Sequence, residues 1–218
     1  MMRLHGHWRS LAAMRVRIAL ALKGLPHEEV SVDILGGGQF EPAYLAVNPQ
    51  AVVPALEPGD GGAPLFQSMA ILEWLEETHP SPPLLPADAR GRARVRGLAL
   101  IVAADSHPLL VPSVRSRLAG QFGADDAAIT AWSLHWMERG LRAVEGHLAR
   151  DAVPGAWCHG DAPTLADICL YSLVAGHEQR GGTLEAMPNV ARVAALCAAD
   201  ERFAAAHPLR QPGAPRPA

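Results

Sequence analysis

Hydrophobic and polar positions divide the chain into two textures. Over residues 1–79 short apolar runs alternate with turn residues, whereas over 90–207 alanine, leucine and arginine recur at helical spacing. In the first part, Arg3 to His7 suits a short strand. Met14 to Lys23 predicts a helix, with Val16, Ala19, Leu20 and Lys23 tracking one face and Gly24 as its stop. Glu28 to Ile34 alternates as a strand does, and Gly36-Gly37-Gly38 makes a flexible loop. Pro54 to Glu57 and Pro64 to Phe66 read as two strands joined by the Gly59–Gly62 turn, and Met69 to Glu77 reads as a helix. A βαβ unit followed by a hairpin and a helix predicts a small four-stranded α/β domain over residues 1–80.

The run Pro80-Ser81-Pro82-Pro83-Leu84-Leu85-Pro86 cannot continue a helix, so residues 81–89 are expected to form an interdomain linker. Beyond it, the spacing predicts helices near 90–118, 126–150, 165–180 and 188–199, an all-helical domain over 90–218. Thr164-Leu165-Ala166-Asp167 has the form of a capping box, with the Thr164 hydroxyl on the Asp167 amide and the carboxylate reaching back. The Pro-rich tail from Gln211 to Ala218 is expected to fray. The fold class is thus α/β plus all-α.

Composition narrows the function classes. A formal net charge of −3 excludes a strong electrostatic footprint for nucleic acid, and 49% hydrophobic residues is too many for disorder. Of 19 basic residues only Lys23 is a lysine. The arginine excess reflects either bidentate recognition of anions or a GC-rich coding sequence. Three cysteines, Cys158, Cys169 and Cys197, with no C-x-x-C spacing argue against a disulfide framework and read as reduced thiols. The first residues lack the apolar stretch of a signal peptide. The longest apolar run, Leu98 to Ala104, is too short to span a membrane, so a cytoplasmic protein with no membrane partner is expected. His5 and His7 fall on one strand face with no third ligand, and no metal is expected.

A series of short motifs then carries a resemblance. Arg9-Ser10, Arg15 to Gly24, Asn48-Pro49, Val53-Pro54-Ala55-Leu56, Gln67 to Glu77, Leu84-Leu85-Pro86 and His159 to Asp167 stand in an order and spacing that resembles zeta-class glutathione transferases. That class includes maleylacetoacetate and maleylpyruvate isomerases. The resemblance implies a thioredoxin-like N-terminal domain, an all-helical C-terminal domain, a homodimer, glutathione as cofactor and a small electrophilic substrate.

It also implies roles for particular residues. Glutathione must be held as its thiolate, since a free thiol of pKa about 8.5 is mostly protonated at neutral pH. Ser10, between the first strand and first helix, matches the family's first catalytic serine, and a helix N-terminus there favours negative sulfur. Read without the resemblance, Ser10 is an N-cap or loop serine. Val53-Pro54 matches the cis-proline turn whose backbone pairs with the cysteinyl part of glutathione, although an X-Pro bond taken by itself is expected to be trans. Gln67 and Ser68 open a helix suited to the γ-glutamyl carboxylate, and Gln39 in the Gly-rich loop matches a contact to the glycyl end. Arg9 matches the arginine before the serine; the other reading of it is a solvated surface residue. His107 matches a histidine that points into the site, and Arg180 falls in the helix where isomerase relatives carry an arginine pair.

Several positions depart from the family pattern. Leu11-Ala12-Ala13 replaces a run of small hydroxyl and thiol residues, so Ser10 alone is left to steady a thiolate. Leu110, Val111 and Pro112 stand where polar and basic residues are usual, and Glu178-Gln179 where the arginine pair is usual. These changes point to a less acidic, more apolar substrate, or to a different one. Asp105-Ser106-His107 is a triad in letters only, because consecutive helical residues face different directions. The expected activity is addition of glutathione thiolate to an electrophile, giving either cis–trans isomerisation or conjugation. The alternative is a non-catalytic protein that binds glutathione or another ligand.

Overall fold

The computed structural model describes residues 1–150 and 155–215. The chain forms two compact units, Met1–Leu84 together with the chain from Asp200 onward, and Leu85–Ala199.

In the first unit, β1 (Met2–Gly6) leads through a short turn into α1 (Leu11–Leu22), and β2 (His27–Ser31) returns parallel to β1. A short helix α2 (Pro42–Leu45) precedes the antiparallel pair β3 (Ala55–Glu57) and β4 (Leu65–Phe66), and α3 (Ser68–Thr78) follows. The sheet order is β2-β1-β3-β4, with β3 antiparallel to β1. Helix α1 starts at Leu11, not Met14, because the Ser10 hydroxyl accepts the Ala13 amide at 3.1 Å and caps the first turn. Eleven of its twelve residues are buried, Ala21 excepted, so the helix is core on nearly all sides and not on the one face its spacing suggested. Strand β2 stops before Ile34: Val32 makes a last bond to the Gly6 carbonyl, and Asp33 Oδ1 then accepts the amides of Leu35 and Gly36, closing an Asx turn.

The C-terminal segment corrects the predicted division. Helix α9 (Glu201–Ala204) packs on α1, and Gly213 lies beside Trp8, so residues from Asp200 belong with the first unit and not with a helical domain running to 218. The predicted frayed tail is held at Gln211, whose Nε2 donates to the carbonyls of Ala205 (2.6 Å) and His207 (3.1 Å). Its last residues, 216–218, lie outside the described residues.

The second unit is helical: α4 (Ala89–Leu100), α5 (Pro112–Phe122), α6 (Asp126–Arg150), α7 (Leu165–Glu178) and α8 (Pro188–Ala199). The single helix predicted over 90–118 is in fact broken. After Leu100 the chain widens into a π-helical turn (Ile101–Ser106), tightens into a 3₁₀ turn (His107–Leu110) and restarts at Pro112. Pro108 and Pro112 supply no amide to an α ladder, so a regular α-helix cannot run unbroken through this stretch. By length and composition Ala89–Phe122 would pass as a membrane-crossing helix. Here it is four segments of three different pitches, packed on α6 and α7.

Helix α7 is the centre of this unit, buried from Leu165 through His177. The predicted capping box opens it. Asp167 accepts the Thr164 amide (2.8 Å) and hydroxyl (2.7 Å), and also the Cys158 amide (2.8 Å) from the preceding loop. Burial raises the Asp167 pKa, with those hydrogen bonds pulling against it. Cys158, Cys169 and Cys197 are all buried and in thiol form, outside any disulfide, and burial pushes the Cys158 thiol well up.

Candidate functional site

Strand register brings four separate chain segments to one end of the sheet. Gly6, the last residue of β1, pairs with Ser31, the last of the parallel β2, so the turn 7–10 and the loop from Val32 through Gln39 leave together. Strand β3 runs the other way, with Ala55 beside His5, which places Val53-Pro54 at that same end. Phe66 closes β4 opposite Ala55, so Gln67 and Ser68 emerge there as well. Residues far apart in sequence are thus gathered by pairing alone.

Ser10 is half-buried at the N-cap of α1 with φ −74° and ψ 112°. Its oxygen accepts the Ala13 amide, which leaves the hydroxyl proton free to donate elsewhere. The first-turn amides of α1 and the helix dipole give this spot positive character. Leu11, Ala12 and Ala13 are buried and add no polar group. Arg9 is exposed, its guanidinium 5.5 Å from the centre of the Trp8 ring.

The Val53-Pro54 peptide is cis, as the resemblance implied and the residues alone did not. The preceding carbonyl, Val52 O, accepts both the Tyr44 hydroxyl (2.6 Å) and the Asn48 side-chain amide (2.8 Å), which pins this loop to α2. Burial pushes the Tyr44 phenol up to about 12, so it remains a donor throughout the working pH range.

Gln67 has φ 67°, a conformation that costs a non-glycine residue roughly 1–3 kcal/mol. Its side chain reaches across to Gln50 Oε1 at 2.9 Å. The twist delivers Ser68 as the first residue of α3, where its buried hydroxyl accepts from Arg15 Nη1 at 3.3 Å. Gln39 sits in a 3₁₀ turn (Gly38–Phe40) with its Oε1 buried and lacking a hydrogen-bond partner among the described residues.

Two predicted residues lie in the second unit. His107 is half-buried at the start of the 3₁₀ turn, and Arg180, just past α7, donates to the Gly176 carbonyl at 2.7 Å. The Asp105-Ser106-His107 run forms no relay: Asp105 is exposed, while Ser106 is buried and donates to the Ile101 carbonyl. His5 is paired with Glu57, and His7 Nδ1 accepts the Arg9 amide.

Three residues that support the site were not singled out for a role in the sequence. Arg15 lies 53 positions from Ser68, so no local spacing links them. Tyr44 and Asn48 stand in a stretch with too little periodicity to place them, although Asn48-Pro49 is one of the motifs that carry the resemblance.

Residues 9–78 match the family described as "Glutathione S-transferase, N-terminal domain". The chain is 45% identical over 216 residues to maleylacetoacetate isomerase of Pseudomonas aeruginosa, covering 98% of this chain and 99% of that one. It is 44% identical to maleylpyruvate isomerase of a Ralstonia species, with 97% and 99% coverage. A holo structure of maleylpyruvate isomerase, described as a bacterial zeta-class glutathione S-transferase, superposes with a TM-score of 0.94 at 43% identity, covering 98% of this chain and all of that one. Maleylacetoacetate isomerase of Methylobacterium extorquens AM1, with bound malonate and glutathione, gives 0.95 at 48% identity with the same coverage. Agreement of this extent in sequence and in fold places the chain in the glutathione S-transferase family, among the maleylacetoacetate and maleylpyruvate isomerases of its zeta class.

Proposed function

We propose that the chain is a glutathione-dependent isomerase that converts a cis-enoyl diketo acid to its trans isomer. The observation that carries this reading is the strand register, which gathers Ser10, Gln39, Val53-Pro54 and Gln67-Ser68 at one end of the sheet. The residues fit glutathione. Gln39 Oε1 is a buried acceptor with no partner among the described residues, and the strained Gln67 presents the N-terminus of α3. Glutathione, when bound, supplies a thiol whose ionised form adds to the conjugated double bond, permits rotation and leaves again.

The chain's own residues hold and activate it. Ser68 and the first amides of α3 take the γ-glutamyl carboxylate, backed by the Arg15 guanidinium behind the Ser68 hydroxyl. The Val53 backbone, next to the cis-proline, pairs with the cysteinyl peptide, and Gln39 meets the glycyl end. Ser10 donates its free hydroxyl proton to the sulfur and, with the positive end of α1, keeps it ionised. Arg9, exposed beside the catalytic turn, attracts the substrate carboxylate. On the resemblance, His107 is assigned to both glutathione and the substrate, and Arg180 to the substrate. The reading includes a homodimer in the cytoplasm, supported by the zeta-class membership and by three buried cysteines that form no disulfide.

The test is turnover of maleylacetoacetate and of maleylpyruvate by purified protein with glutathione. Ser10→Ala should lower kcat/KM on the order of 10²–10³, the cost of removing one donor from a developing anion. No turnover of either substrate, with glutathione binding intact by calorimetry, sinks the isomerase reading. It would favour the second one, a glutathione-binding protein without catalysis, to which the apolar first turn Leu11-Ala12-Ala13 lends support.

A further inference from the structure

The segment between β1 and α1 is held by a residue that the proposed reaction does not use. His7 follows β1 directly and is 4% exposed. Its carbonyl accepts the Ser10 amide at 3.0 Å, and its ring nitrogen Nδ1 accepts the Arg9 amide at 3.2 Å. The same carbonyl receives Arg17 Nη2 at 3.5 Å, and Arg17 is itself tied to Glu29 at 2.5 and 3.2 Å. The whole turn Trp8-Arg9-Ser10 is therefore suspended from one histidine, whose ring also lies 5.7 Å from that of Trp8.

A nitrogen that accepts an amide must carry a lone pair, so the Arg9 bond makes Nδ1 the bare nitrogen and puts the proton of the neutral ring on Nε2. In the doubly protonated ring both nitrogens are donors. Nδ1–H would then face Arg9 N–H, and the bond becomes a repulsion. The charged surroundings agree. Arg9 and Arg17 disfavour a cation, Asp33 favours one, and burial, the largest influence, holds the imidazole below its ordinary pKa.

We propose that His7 is a positioning residue for Ser10: neutral, it locks the Arg9–Ser10 turn through Nδ1, and protonated, it releases that turn and with it the hydroxyl that steadies the thiolate. The proposal rests on the reading of Ser10 given above. It adds an acid limit to the reaction that is separate from titration of the glutathione thiol.

Two variants separate the effects. His7→Phe keeps the ring shape but has no acceptor. His7→Asn keeps an acceptor near the Nδ1 position and does not titrate. Isomerase kinetics between pH 5 and 8 should show at least a tenfold lower kcat for His7→Phe at neutral pH, with KM for glutathione within about twofold of the original. His7→Asn should recover most of that loss, and its acid limb should move to lower pH than that of the unaltered protein. In parallel, the Arg9 and Ser10 amide resonances of labelled protein should shift with the same midpoint as the His7 ring carbons. Amides that stay fixed through the His7 titration overturn the proposal, as does an acid limb that His7→Asn leaves unmoved. Failure of the underlying reading looks different: Ser10→Ala would then turn over normally while the two amides still follow His7.

Discussion

Lys23, the chain's one lysine, caps the C-terminus of α1 with its side chain fully shut off from solvent. All three ammonium protons have acceptors: Glu76 (2.9 Å), the His79 carbonyl (2.6 Å) and the Pro82 carbonyl (3.0 Å). Glu76 in turn accepts the Leu84 amide at 2.9 Å. This cluster fastens the proline-rich segment after α3 onto α1. Removing one member of a buried pair strands the other charge, so Lys23→Met should cost about 3–5 kcal/mol in urea unfolding. Adding Glu76→Gln should restore part of that, since the carboxylate charge goes while an acceptor for Leu84 stays. A single variant as stable as the original protein would contradict the assignment. None of this is legible in the sequence, where Lys23 reads as one more residue on a helix face. Its partners lie 53 to 59 positions away, beyond the reach of any helical period. Ser10 and Ser68 are legible as cap positions because each stands at a strand-to-helix junction, a local feature, while their roles toward glutathione are what the resemblance implies. Arg15, which supports Ser68, is hidden for the same reason as the partners of Lys23.

Local chemistry also decides which elements a sequence declares. The Thr164–Asp167 capping box closes within four residues, and α7 begins where it says. Helices α6 and α8 run over the residues their spacing predicts, whereas the four-residue helices α2 and α9 are too short to have a period. The break after Leu100 shows a different limit. Pro108 and Pro112 announce a disturbance, but not that it begins with a π-helical turn at Ile101. That choice is made by packing against α6. Gly140 of α6 lies against Ser106, the last residue of the wide turn, so closely that a Cβ there would collide with the Ser106 hydroxyl. Ser106 is fixed in place by its bond to the Ile101 carbonyl (3.0 Å). Gly140→Ala should therefore destabilise the protein by about 1–3 kcal/mol, the usual cost of overpacking a filled core, even though alanine is the better helix former. Pairing it with Ser106→Ala removes the nearest atom and should recover part of the loss in thermal melting. A Gly140→Ala protein that melts at or above the original temperature would mean the two helices separate without cost.

Acid should weaken both units, through one buried histidine in each. His7 in the first unit and His177 in the second are both held below the ordinary histidine pKa, chiefly by burial. His177 is sealed at the end of α7, its ring against Gly182. Neither of its ring nitrogens makes a hydrogen bond among the described residues. The Glu138 carboxylate stands 3.8 Å from Nε2, and it and Glu178 oppose the effect of burial without reversing it. In the unfolded chain both histidines bind a proton at about pH 6.5, whereas in the folded protein they resist it. Below pH 6.5 the unfolded state thus carries more protons, and stability falls as pH drops until each folded-state pKa is passed. Above pH 6.5 both are neutral in either state and the contribution is complete. The slope is at most about 1.4 kcal/mol per pH unit for each group. Glu29, whose pKa is lowered by its bonds to His27 and Arg17 against the effect of burial, extends the loss to lower pH, since its contribution is present above its ordinary value of 4.5 and disappears on acidification. Urea midpoints should accordingly drop between pH 7.5 and 5.5, and drop less in His7→Asn and in His177→Gln. Equal midpoints at the two pH values would show that neither imidazole is kept neutral by the fold, and would also remove the electrostatic support for His7 as the residue that locks the Ser10 turn.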